Sequence, residues 1–169
     1  SILLEEHGHF SYQHYLEQLN ILPIMARVQV PSVGIDLPVY HGTDEHTLAQ
    51  GVGHLYGTDL PIGGIGTHAA LTGHTGISTA TLFDKLIDVS DGDFMAVESL
   101  GESLMYQVTD IQVVLPDQVD TLSVDPDRDL LTLITCTPYG VNSHRLLITG
   151  ERIYNAALPA ETSIGLPSW

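Results

Sequence analysis

Leu104-Met105-Tyr106-Gln107-Val108-Thr109-Asp110-Ile111-Gln112-Val113-Val114-Leu115 carries two strand patterns in series. Apolar residues stand at Leu104, Tyr106 and Val108, then change phase to Ile111, Val113 and Leu115. Successive side chains of a strand face opposite sides, so a change of phase requires an extra residue, here at Thr109-Asp110. A bulge of that kind bends the strand and is common where a sheet curls into a barrel.

Working outward, Asp91-Gly92-Asp93 reads as a turn and Phe94 to Glu98 as the strand before the bulged one. Downstream, Leu130 to Cys136 is a near-continuous apolar run and Arg145 to Thr149 another, with Pro138 and Gly140 in the loop between them. Upstream, strand patterns occupy Ala26 to Pro31, Gly34 to Val39 and His68 to Gly73, the last preceded by a turn at Gly63, Gly64 and Gly66. Short helices are expected after Thr43 or Asp44, stopped by Gly51, and from Thr81 through Leu82, Phe83 and Leu86, with Asp84 placed for a variant capping box. Ser11 caps a further expected helix whose Tyr12, Tyr15, Leu16 and Leu19 share one face. Many strands, few short helices and one domain's length point to an all-β barrel or sandwich. The expected organisation is an N-terminal arm over 1–22, a catalytic β unit over 23–155 and a C-terminal tail over 156–169.

Composition sets the limits. The chain has 169 residues, 43% of them apolar, with 5 Lys and Arg against 21 Asp and Glu and a net charge of −16. Such a surface repels phosphate, which excludes a nucleic-acid-binding module; the apolar fraction excludes a disordered acidic chain. One cysteine excludes an intramolecular disulfide framework and any multi-cysteine zinc cluster. No apolar run approaches the ~20 residues of a membrane span and no signal peptide is visible. Beginning at Ser1 rather than Met, the chain reads as processed or truncated.

The chemistry concentrates around Cys136. If its strand pairs with the next as an antiparallel hairpin, Cys136 and Arg145 become neighbours on one rim, overhung by the loop from Thr137 to His144. A cation beside sulfur favours the thiolate, and the same guanidinium can donate to an oxyanion during acyl transfer. A proton-transfer group is still required. Among nine histidines, His74 is the most suggestive, because it ends an apolar strand between Gly73 and Gly76. The bland readings are a buried Cys136, a surface-turn His74 and a solvated Arg145.

The run Thr132-Leu133-Ile134-Thr135-Cys136-Thr137-Pro138-Tyr139-Gly140-Val141-Asn142-Ser143-His144-Arg145-Leu146-Leu147 resembles the TLxTC…R signature of sortases. Its TPYG-N-HRLL extension is similar to the pilin-polymerising class C in particular. Leu37 to Thr43, Gly53-His54-Leu55, Leu60 to Gly64, Leu71 to Gly76 and Leu82 to Leu86 match in the family's order, over roughly Met25 to Tyr154. The resemblance implies an eight-stranded sortase β-barrel with a few short helices and an N-terminal helical arm. It implies Cys136 as nucleophile, His74 as general acid/base and Arg145 as the oxyanion and substrate-orienting cation, with Thr135 shaping the cleft and His144 facing away. The implied reaction cleaves an LPxTG-type sorting signal between Thr and Gly, and a Lys amine of another pilin subunit resolves the thioacyl-enzyme. The implied place is the outer face of a Gram-positive-type cell membrane, held by segments outside this chain; no cofactor and no metal are implied.

One departure concerns the lid that class C sortases carry. Its Asp-Pro-aromatic motif is absent, the only Asp-Pro being Asp125-Pro126, although His9-Phe10 in the arm can supply an aromatic plug. The competing reading is a non-catalytic surface or metal-binding β domain in which His7-Gly8-His9 holds zinc. An L,D-transpeptidase is disfavoured because SHGC-like surroundings are missing around Cys136.

Overall fold

The computed structural model describes residues 24–77, 80–99 and 101–154. The expected arm, with the Ser11 helix, His7, His9 and Phe10, and the expected tail lie outside those residues. Eight strands form the framework: β1 (Ile24–Val30), β2 (Ile35–His41), β3 (Val52–His54), β4 (Thr67–Thr72), β5 (Phe94–Ser99), β6 (Glu102–Val114), β7 (Asp129–Thr137) and β8 (His144–Ile153). They close into a barrel in the order β1-β2-β3-β4-β7-β8-β6-β5, with β5 pairing back onto β1. Of the two architectures left open by the strand count, the barrel is the one adopted.

The phase change in β6 is a register shift between Val108 and Asp110 in its pairing with β8. Before it, Leu104, Tyr106 and Val108 point into the core; after it, β6 turns away from β5 and runs along β8 alone. The bulge thus lets one long strand serve two partners, which a regular strand of that length would not do.

Alternation builds the core. Val28 and Val30 of β1, Met95 and Val97 of β5, Leu131 and Leu133 of β7, and Leu146 and Ile148 of β8 fill the interior together with Phe83 and Leu86. On the outer face of the same wall, Ala70, Ile134 and Leu147 form a second cluster covered in part by Leu55, Val119 and Leu122. β7 is therefore buried on both faces, which explains why its sequence is a continuous apolar run rather than an alternation. At the start of β7, Asp129 is 1% exposed and accepts hydrogen bonds from Gly64 N (2.8 Å) and the Tyr154 hydroxyl. Arg152 faces the same carboxylate at 3.5 Å, so the buried charge is paired.

The helix α1 (Glu45–Gln50) has the expected boundaries: Asp44 caps it by accepting from Thr47 N at 2.7 Å, and Gly51 follows its last turn. The segment after Thr81 differs from expectation. It is a 3-10 helix over Asp84–Asp88 without a side-chain cap, and Asp84 makes no capping box. Its carboxylate is drawn instead to a backbone amide eight residues earlier, described below. Two strand assignments also change. β8 runs past Thr149 to Ile153, because pairing with Met105 to Val108 of β6 continues the ladder through Gly150. β3 has no counterpart in the sequence reading. A glycine at the centre of three residues gives no strand signal, and a Cβ at Gly53 would run into the Gly42 carbonyl oxygen. Among the described residues no helix is long and apolar enough to cross a membrane.

Candidate active site

Strand order pairs two of the three candidate residues and leads the strand before the third along the same wall. β7 lies between β4, which runs parallel to it, and β8, which runs antiparallel. In the hairpin with β8, Cys136 pairs directly with Arg145 and Thr137 with His144, so thiol and guanidinium stand on adjacent strands of one rim. On the other side, the parallel register ends at Thr72 opposite Ile134. His74 follows two residues beyond that register, in the loop that leaves β4.

Hydrogen bonds hold β4's exit in that register. Gly73 N donates to Ile134 O (3.0 Å), Thr135 Oγ1 donates to Gly73 O (2.7 Å), and Thr75 Oγ1 donates to the Cys136 carbonyl (3.1 Å). Phe83 N donates to His74 O (3.0 Å), and Asp84 Oδ1 accepts from Gly76 N (2.8 Å). The histidine loop is therefore tied to β7 on one side and to the 3-10 helix on the other. Thr135 is 2% exposed, so its bond to Gly73 is made away from water. The sequence reading of Thr135 as a residue that shapes the cleft acquires a specific form: it fixes the peptide just before His74.

Cys136 and His74 are both partly buried, neither sealed in the core nor fully exposed. Arg145 Nη1 donates to Asn142 O and His144 O, both at 3.0 Å. These bonds fasten one corner of the guanidinium to the β7–β8 loop; among the described residues Nη2 and Nε have no hydrogen-bond partner. The planar fork is thereby held while donors remain for another molecule. His144, one residue earlier, bonds through Nδ1 to Ser143 Oγ (2.8 Å) and pairs with Thr137 rather than Cys136.

A recess of about 270 Å³ opens beside Cys136, walled by Thr75, Phe83, Asp84, Ile87, Tyr139 and Leu146 among others. The sequence reading missed Thr75, Phe83 and Asp84 as parts of the site. The signal was present in the Thr72-Gly73-His74-Thr75-Gly76 and Leu82-Phe83-Asp84 segments, but only their contact in space assigns the roles. Among the described residues no cluster of three or more His, Cys, Asp or Glu is placed to hold a metal.

A thiol paired with a guanidinium on one rim of a closed barrel, beside a loop that carries an imidazole, brings together group types that cysteine acyl transfer uses. The sortase domain description matches residues 28–153, and the chain belongs to the sortase family. Sortases are cysteine transpeptidases of the Gram-positive cell envelope. Among solved structures, the chain is similar to sortase C-1 from Actinomyces oris, with 60% identity, a TM-score of 0.78 and coverage of 85% of this chain and 82% of that one. Sortase C-1 from Streptococcus pneumoniae is also similar, at 47% identity and a TM-score of 0.76 over 79% of this chain and 68% of that one. Sortase A of Bacillus anthracis is 28% identical over 130 residues, 77% of this chain and 60% of that protein. The chain therefore spans about three-fifths of the length of that curated relative. The likeness to class C read from the Cys136–Arg145 segment thus extends to solved C-type structures.

Proposed function

We propose that this chain is the catalytic unit of a class C-type sortase. In this reading it cleaves an LPxTG-type sorting signal between Thr and Gly and transfers the acyl group to a Lys amine of another pilin subunit during pilus assembly. The observation that supports the reading is the hairpin register that pairs Cys136 with Arg145, on a strand whose other neighbour, β4, leads into the loop carrying His74.

The chemistry follows from those positions. The Cys136 thiolate attacks the scissile carbonyl carbon. Negative charge develops on the carbonyl oxygen, where the unengaged Nη2 and Nε donors of Arg145 stabilise it. Collapse breaks the C–N bond, and His74 gives its proton to the departing glycine amine. The resulting thioester keeps the acyl group reactive toward an amine. That amine attacks the same carbon, its proton passes to His74, and the thiolate is restored. Placement at the outer face of a Gram-positive cell membrane, through segments outside this chain, belongs to the same proposal.

The test is intact-mass analysis after incubation with an LPxTG-containing peptide. The wild type is expected to gain the acyl mass, whereas Cys136→Ala and His74→Ala gain none. Arg145→Lys is expected to retain charge yet lose most of the acylation rate, since an ammonium cannot reproduce the planar fork. A protein that alkylates at Cys136 but never acylates with any LPxTG-type peptide overturns the reading.

A further inference from the structure

One buried imidazole takes no part in the acyl-transfer scheme. His68, in β4, is 8% exposed and stands on the outer face of the wall with Ala70, two residues on. We propose that His68 is a positioning residue for the acyl donor: its ring fastens the connection between β6 and β7 to the sheet, and so sets the wall against which the donor peptide lies. This inference rests on the acyl-transfer reading above and adds a residue remote from Cys136, His74 and Arg145.

The bonds of the ring run in one direction. Nδ1 faces the Ser123 carbonyl at 2.9 Å, and a carbonyl only accepts, so Nδ1 carries a proton. In the neutral ring Nε2 then accepts from Thr132 Oγ1 at 2.6 Å, and the Thr132 oxygen accepts from Thr149 Oγ1 at 2.8 Å. Thr132 is 0% exposed, so these links are made away from water, where each supports the next. Through them one carbonyl of the connection is tied to β4, β7 and β8 together.

Topology gives the tether its importance. β8 lies between β6 and β7 in the barrel, so the connection over 115–128 has to cross the outer face of β8. It rests on that face at Val119 and Leu122, which pack on the cluster of Ala70, Ile134 and Leu147. Beyond them a cavity of about 510 Å³ separates it from β6 and β8, lined by Gln112, Val114, Thr149, Leu122, Ser123 and Asp125 among others. Packing does not hold the connection across that space, and the bond from His68 to Ser123 fixes its height.

Cys136 follows Ile134 by two residues on β7, so its sulfur opens on the same face as the apolar cluster. A peptide that acylates it from this face has the connection as a wall. Leu130, opposite His68, is six residues before Cys136, which puts the ring about 20 Å from the sulfur by strand rise. His68 therefore acts through Ser123 and not on the reacting atoms. Its main chain holds the opposite flank: His68 N donates to Asp59 Oδ2 (2.8 Å) and Asp59 N donates to His68 O (3.2 Å), in the loop whose Leu55 also covers the cluster. One residue thus spaces both sides of the face.

Two amides that each copy half of the ring test the assignment. An Asn nitrogen falls near Nδ1 and donates to Ser123 O, whereas a Gln nitrogen falls near Nε2 and leaves that carbonyl unpaired. Acylation is followed over a range of LPxTG-containing peptide concentrations, alongside the rate of Cys136 alkylation by iodoacetamide and the urea midpoint. His68→Gln is expected to raise KM about tenfold with kcat within about twofold, because the lost bond positions the peptide equally in ground and transition states. Alkylation is expected to keep the wild-type rate, and His68→Asn to recover most of the loss in KM. Thr132→Val fills the same space but leaves Nε2 without its donor; it is expected to raise KM about threefold and supplies the test if His68→Gln does not fold. An unchanged KM in the Gln and Val variants overturns the positioning role alone. So does a rise shared equally by the Asn variant and accompanied by slower alkylation and a lower urea midpoint. A wild type that forms no thioacyl-enzyme overturns the reading on which the role rests.

Discussion

Replacing Gly73 by alanine adds one methyl group immediately before His74, and the structure says what that methyl meets. Its Cβ would lie 2.5, 2.7 and 2.9 Å from three carbons of the Phe83 ring, where ordinary contact is 3.4–4 Å. The ring is 0% exposed and sits in the main core cluster, so it cannot swing into solvent. The backbone at Gly73 does not lie in the left-handed region, which leaves the ring as the obstacle rather than the dihedral angles. Overpacking of this kind costs about 1–3 kcal/mol. For a domain of this size, 2 kcal/mol lowers the melting temperature by roughly 4–8 °C. Activity should fall further than stability explains. Phe83 N holds the His74 carbonyl at 3.0 Å, so a displaced ring drags the candidate acid/base with it. Misplacement near 1 Å can cost about 100-fold in rate. The assay pairs urea denaturation with the rate of thioacyl formation for wild type, Gly73→Ala, Phe83→Leu and the double variant. The smaller leucine makes room for the new methyl, so the double variant is expected to be more stable than the sum of the singles by about 1 kcal/mol or more. Additive losses, or a Gly73→Ala protein as stable as wild type, would refute the argument.

Two further outcomes follow from the same framework. Thr135→Val keeps the side chain's shape but removes the donor to the Gly73 carbonyl (2.7 Å). It is expected to cost about 1–3 kcal/mol in denaturant unfolding and to slow acylation, with Thr135→Ser restoring both; a Val variant equal to wild type would show that the bond positions nothing. The second concerns pH. The backbone hydrogen bond from Thr47, followed by that residue's side chain, holds the Asp44 carboxyl below its ordinary value of 3.8. A depressed folded-state pKa contributes stability that is present above the unfolded value and lost as pH falls through the folded one. Wild type is therefore expected to gain on Asp44→Asn as pH rises through the carboxylate range, and the advantage to vanish in strong acid. A difference in melting temperature that does not change with pH would remove the charged cap from the account.

Much of the barrel was legible one segment at a time. The alternation and phase change in Leu104 to Leu115 located the bulge between Val108 and Asp110, because a period-two pattern cannot change phase without an extra residue. Asp44 and Gly51 marked both ends of α1, since caps are local hydrogen-bonding and backbone-angle requirements. Cys136 and Arg145 could be paired in advance for a similar reason: a short loop joins their strands, and the hairpin fixes its own register. Other features were hidden. The Val52–His54 strand exists only because β2 and β4 lie on either side of it, and a glycine there reports a close backbone approach rather than a propensity. Asp84 looked like a cap for its own helix, yet its partner is Gly76 N across a fold of the chain.

By itself, then, the amino-acid sequence determined the strands, the bulge, the caps and the nearness of thiol to guanidinium, all set by periodicity and short loops. Among nine histidines it favoured His74 only through a strand end between glycines, and the acid/base role came from a resemblance. The tertiary structure alone laid β4 alongside β7, joining Gly73 to Thr135 across 62 residues. Parallel pairing has no tight turn to announce it. It is decided by which buried faces pack together once the barrel closes, and that packing ties the loop carrying His74 to the strand carrying Cys136.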